Sequence, residues 1–204
     1  MAVITISRQF GAGGWFLGER LARRLGYRYV NAAMIQEVAK KGKISSGRVR
    51  VFEKSGTNKL MKFLDKLVST DHVDRFVSEK HGHLDEKVYV KMVCSIFEEL
   101  HEKGNAIIIG RGGQYILKDY PDTHHVLLVG DMKSRIRLIM DTHQLTENKA
   151  KAMIKQSEDQ RDQVLRLFSG HGFHDNPMNY DLVINTSRVS LRKTEELVIN
   201  LVSE

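Results

Sequence analysis

Arg8, the glycines at 11, 13 and 14, and the run Gly110-Arg111-Gly112-Gly113 are the residues whose types and spacing suggest chemistry in this chain. Glycines in a turn between a strand and a helix expose backbone N–H groups and let an anion approach the main chain closely. An arginine beside such a turn presents a planar fork of donors that matches a phosphate bidentately. The segment from Val3 to Gly18, VITISRQFGAGGWFLG, has the required order of buried strand, glycine-rich turn and helix start. It departs from the Walker A pattern G-x-x-x-x-G-K-[ST], because Gly14 stands at the lysine position and Trp15-Phe16 follow where a hydroxyl would stand, with Phe16 at the last position of the longer form G-K-[GST]-[ST]. A dinucleotide fingerprint fits less well: its last glycine is missing, and Asn31 stands where an acidic residue would bind a ribose. Arg8 has an alternative reading as half of a structural ion pair. Arg111 directly follows a buried run, at the carboxyl edge of the sheet where α/β proteins bind ligands.

Other chemistry is weaker. His81-Gly82-His83 and His171-Gly172-Phe173-His174 lack an accompanying cysteine or a helical H-x-x-x-H spacing, so surface loops are expected and no metal site. Cys94 falls among Met92, Val93, Ile96 and Phe97, which predicts a buried core thiol. No Ser-His-Asp arrangement or G-x-S-x-G motif can be drawn. The net charge of +7 admits a polyanionic partner, but no nucleic-acid docking motif is present and the basic residues are dispersed. Their densest group, Lys40, Lys41, Lys43, Arg48 and Arg50, reads equally as a solvated loop or an anion contact. No apolar run approaches the roughly 20 residues of a membrane span, and no secretory leader is visible, so the expectation is a cytoplasmic protein without membrane partners.

The elements that must position these residues follow from periodicity. Val3–Ile6, Ala106–Ile109, His125–Val129 and Leu182–Ile184 are continuous apolar runs of the kind found in buried parallel strands, and Tyr27–Val30 is a weaker fifth. Leu17, Leu21, Ala22 and Leu25 form one helical stripe; Tyr89, Met92, Val93, Ile96, Phe97 and Leu100 form a stronger one, stopped by Gly104. Strands alternating with helices imply βαβ units and a sheet covered on both faces. Leu60, Phe63, Leu64, Leu67 and Val68 suggest helix within an insertion over about 34–83. Thr146 and Glu147 start a later helix, whose apolar stripe is interrupted at Ser157, Glu158 and Arg161. Either two helices meet there with Arg161 solvated, or one lid turns its arginines inward onto phosphate.

The segments ITISRQFGAGG, IIIGRGGQYIL, HHVLLVGDMKSRI and YDLVINTS, in this order, resemble the cytidylate kinase-like proteins, a branch of the P-loop nucleoside monophosphate kinases. The resemblance spans nearly the whole chain. It implies an α/β class, three-layer P-loop kinase fold: a five-stranded parallel sheet flanked by helices, a helical monophosphate-binding insertion and a short lid at about 157–176. It implies one domain over 1–204, with the core at about 1–33 and 84–204. By position, Ser7, Gly11, Ala12, Gly13 and Gly14 would surround the donor ATP phosphates, and Arg135 would lie near the adenine. Arg8, Arg111, Arg161 and Arg166 would form the cationic catalytic set, with Arg8 the candidate substitute for the loop lysine. Mg²⁺ would be held mostly by the phosphates, with no protein metal ligand. The expected activity is phosphoryl transfer from ATP to a nucleoside monophosphate, CMP or dCMP first among them. Two alternatives stay open: a non-catalytic nucleotide sensor, and a kinase of another small metabolite. The latter arises because Gly110-Arg111-Gly112 lacks the acidic residue of the family's G-R-D.

Overall fold

The computed structural model describes residues 2–35, 86–170 and 172–203. Five strands form the sheet: β1 (Val3–Arg8), β2 (Arg28–Val30), β3 (Ala106–Ile109), β4 (Thr123–Val129) and β5 (Leu182–Asn185). Their order is β2-β3-β1-β4-β5 and every pairing is parallel, so β1 lies at the centre. The expected runs are all strands. β1 extends two residues beyond the expected run, and this carries Ser7 and Arg8 into the sheet.

Alternation along β1 and β3 sends side chains to two cores. Val3, Ala106 and Ile108 join Val93, Ile96, Phe97 and Leu100 of helix α2 (Glu86–Lys103) on one face. Ile4, Ile6, Ile107 and Ile109 join Leu17 and Leu21 of α1 (Gly14–Leu25) on the other, with Val198 of the C-terminal helix Leu191–Val202. Burying each such Leu, Ile or Phe contributes about 1.5–3 kcal/mol, which explains why continuous apolar runs become central strands. Gly104, at φ 61, ends α2 as expected and donates to the carbonyls of Leu100 and His101. Cys94 is half-buried and not a core thiol, because the stripe facing the sheet passes through Val93 and Phe97.

After β3 comes a single turn, α3 (Gly113–Ile116). After β4 come α4 (Met132–His143) and α5 (Glu147–Ser169). The two-helix alternative for this last segment is overturned: α5 runs unbroken for 23 residues. Its polar interruption faces inward, where Glu158 and Arg161 have partners on other elements. The C-terminal helix, α6 (Leu191–Val202), is tied to α1 through buried Glu195, which accepts from Arg20 at 2.7 Å and from Arg24 at 3.3 Å. The helical insertion, including the stripe Leu60 to Val68, the basic group Lys40 to Arg50, and His81 to His83, lies outside the described residues beyond Ile35. His171 lies outside them as well.

Candidate phosphate site

Parallel pairing brings the carboxyl ends of β1, β3 and β4 to one edge, and β1 and β3 each end in a glycine-containing turn with positive φ. Gly11 and Gly13 follow β1 at φ 85 and 81, and Gly13 caps the start of α1. Gly110, Arg111 and Gly112 follow β3 at φ 77, 61 and 78. A non-glycine residue in the left-handed region carries local strain, and here it holds Arg111 at the sheet edge.

The side chain of Arg8 crosses between these turns. A Cβ placed on Gly14 would lie 2.8 Å from Arg8 Cγ, and one on Gly110 would lie 2.5 Å from Arg8 Nη1. The two glycines therefore form the slot that the arginine occupies. No hydrogen bond or ion pair engages Arg8 among the described residues, and its guanidinium is pushed down to about 10 by burial, then by the charges of Arg161 and Arg111. A desolvated cation crowded by other cations is stabilised by an anion.

Arg161 reaches the same edge from α5. Its Nη2 donates to Ser7 Oγ at 3.3 Å and to Asp175, while Nη1 lies 3.6 Å from Glu158 Oε2. Burial alone would lower its pKa, but the Asp175 hydrogen bond and charge reverse that and raise it. Asp175 also accepts from Gln9 Nε2 at 3.3 Å, and Gln9 Oε1 accepts from Gly130 N–H at 3.1 Å. Glu158 accepts the Phe10 N–H at 2.6 Å and pairs with Arg135, whose Nε donates to the Phe10 carbonyl at 2.7 Å. Both polar ends of the Phe10 residue, at the start of the glycine turn, are thus fastened to α4 and α5.

A cleft of about 540 Å³ runs along the other elements of this edge, with Gly11, Gly13, Phe16, Arg135, Thr186 and Ser187 in its walls. Ser187 Oγ accepts the Asp131 N–H at 2.8 Å, and Asp131 caps α4.

The structure therefore gathers Ser7, Arg8, Gly11, Ala12, Gly13, Gly14, Arg111, Arg135 and Arg161 around one edge. Arg135 lines the cleft by way of a buried side chain already bonded to Phe10 and Glu158. Arg166 stands apart: it is exposed on α5 and pairs with Asp162 at 2.6 Å. His174, expected on a surface loop, is instead buried against Ser169 Oγ and Tyr115, with no metal cluster of His, Cys, Asp or Glu among the described residues. Sequence reasoning missed Gln9 and Asp175, which have no local signal. Glu158 was visible as a polar break in an apolar stripe, but its role was not.

The residues fit nucleotide phosphates: open backbone donors at Gly13, where a Cβ would meet nothing within 4 Å, stand beside Arg8, which has no ion-pair partner among the described residues. They do not fit a protein-held Mg²⁺. Phe16 replaces the loop hydroxyl, Ser7 Oγ accepts from Arg161, and both neighbouring carboxylates, Glu158 and Asp175, already bind arginines.

This fold and this edge define a P-loop kinase architecture. Residues 3–188 match the cytidylate kinase-like family, and the chain belongs to that family. Among solved structures, an uncharacterized protein from Eubacterium ventriosum is similar over 100% of this chain and 99% of its own, at 16% identity and TM-score 0.71. A shikimate kinase from Bacteroides thetaiotaomicron is similar over 100% and 99% of the two chains, at 12% identity and TM-score 0.51. Such likeness shows the shared fold. No curated protein sequence matches this chain. No helix among the described residues is long and apolar enough to cross a membrane.

Proposed function

We propose that this protein transfers a phosphoryl group from ATP to a nucleoside monophosphate, with CMP or dCMP as the first acceptors to test. The observation that carries this reading is Arg8, a guanidinium with no ion-pair partner among the described residues, in a slot of two glycines beside the cradle, with Arg111 and Arg161 acting on it electrostatically. Phosphoryl transfer asks little covalent chemistry of a protein; positioned positive charge and exclusion of water do most of the work. In this reading the backbone of Gly11 to Gly14 and Arg8 hold the donor phosphates, and the cleft beside Phe16 and Thr186 takes the donor base. Arg111 faces the acceptor phosphate, and Arg161 follows charge onto the transferring group when it exchanges Asp175 for phosphate. Arg166 would join only if its Asp162 pairing opened. The segment 34–83 would complete the acceptor side.

A second reading has its own observation. Gly14 and Phe16 remove the lysine and hydroxyl that drive catalysis in Walker loops, while Arg161 is already neutralised by Asp175, and a non-catalytic nucleotide sensor would tolerate both. The missing acidic neighbour of Arg111 likewise favours a different small acceptor within the kinase reading.

The test couples ADP release to a panel of nucleoside monophosphates, with thermal-shift binding in parallel. CMP-dependent ADP formation is the expected result, and Arg8→Ala should lower turnover by about 10²–10³-fold. Stabilisation by ATP without turnover against any acceptor would select the sensor.

A further inference from the structure

The loop cation and the loop metal ligand are both altered here. The lysine position is a glycine because Arg8 Cγ, Cβ and Cδ occupy the space directly above it, at 2.8–3.2 Å from a Cβ there. The hydroxyl position is Phe16, a wall of the cleft. Beside the cradle the charged groups are Arg8, Arg111, Arg135 and Arg161 against Glu158 and Asp175. Both carboxylates are engaged by arginines, and Glu158 also accepts a backbone N–H. A divalent cation entering between the glycine turn and Arg161 meets an excess of guanidinium charge, and both carboxylates there, Glu158 and Asp175, are committed; Asp131 and Asp141 line the adjoining cleft together with Lys133 and Arg137.

We propose that the site takes the nucleotide polyphosphate in its metal-free form, with Arg8, Arg111 and Arg161 supplying the charge compensation that a loop-held Mg²⁺ supplies in Walker-type sites. This rests on the nucleotide reading above but concerns binding, not transfer. Metal-free ATP is more negative than its magnesium complex by the full charge of the cation, so a cradle built of guanidinium groups favours it. Guanidinium forks also match phosphate oxygens directly and need no bridging ion.

Isothermal titration calorimetry of the full chain with ATP, in EDTA and then in excess Mg²⁺ at matched ionic strength, tests this. The expected result is a Kd about tenfold tighter in EDTA. Equal or weaker binding in EDTA overturns the proposal while leaving the nucleotide reading intact; absence of ATP binding in both conditions overturns that reading and the proposal together. Arg8→Gln should weaken binding and erase the preference for the metal-free form, and Arg8→Lys, which keeps the charge, should retain part of it. A preference unchanged in a folded Arg8→Gln protein, checked by circular dichroism, would show that Arg8 is not its source.

Discussion

Restoring lysine at position 14 should not restore a Walker loop in this protein, because its Cβ would collide with the stem of Arg8. Arg8 and Gly14 behave as one unit, and their substitutions are expected to be non-additive. Gly14→Lys alone displaces Arg8 and weakens ATP binding; Arg8→Gly alone removes the cation. The double variant makes room for the lysine and should bind more tightly than either single variant. A double-mutant cycle on the ATP Kd should show a coupling of about 1–3 kcal/mol, and simple additivity would refute the unit. The strand, glycine turn and helix that bring the glycines and the arginine together were legible, because the three lie consecutively in the chain. That Gly14 is glycine on account of Arg8 was not legible, since the clash exists only after the strand has aimed the side chain across the turn.

At the scale of elements, α5 is fastened to the glycine turn by Glu158. Glu158→Ala leaves the buried Arg135 without its carboxylate and the Phe10 N–H without its acceptor. With Glu158 partly exposed, a loss of about 1–3 kcal/mol is expected in urea unfolding, less for Glu158→Gln, which keeps an acceptor. Unchanged stability would mean that solvent replaces the contact. The continuity of α5 was illegible for the same reason: the partners that permit polar residues on its inner face, Ser7 and Phe10, Arg135, and Asp175, come from three separate parts of the chain. The strands, by contrast, were legible from composition, since burial on both faces keeps their runs predominantly apolar.

The pairing of β1 with β4 holds a titrating group. His125, buried in β4, has its Nδ1 2.6 Å from Thr5 Oγ1, and burial lowers its pKa below the ordinary value of 6.5, against the pull of Asp181. The unfolded chain therefore binds a proton more readily than the folded one. Stability from this site is complete above pH of about 6.5 and falls as pH drops through the lowered folded value. Unfolding free energies at pH 7.5 and 5.5 should differ less in His125→Gln than in the parent protein. An equal drop in both would assign the acid sensitivity elsewhere.

At the scale of the whole molecule, the site draws on β1, β3, α1, α4 and α5 together, so ligand binding should stabilise the fold as a unit. At about 100 times Kd, ATP should contribute about 2.7 kcal/mol. For a chain of this length that corresponds to a Tm rise of about 5–10 °C, readable by differential scanning fluorimetry. The rise should shrink with added salt, as expected when guanidinium groups carry the contact. A rise without dependence on salt would point to the base cleft as the main source of affinity.

β1 is hydrogen-bonded on both sides, to β3 and to β4, and ends in Arg8. The lysine of a Walker loop sits where turn meets helix; here the cation is the last residue of the innermost strand. In native-state hydrogen exchange, β1 amides should therefore be protected up to the global unfolding free energy, while amides of α5 exchange through smaller openings. If Arg8 holds phosphate as proposed, that charge is fixed to the last segment to open and would persist through partial unfolding of α5. Anion capture and the order of α5 would then be separable events, with capture the more durable of the two.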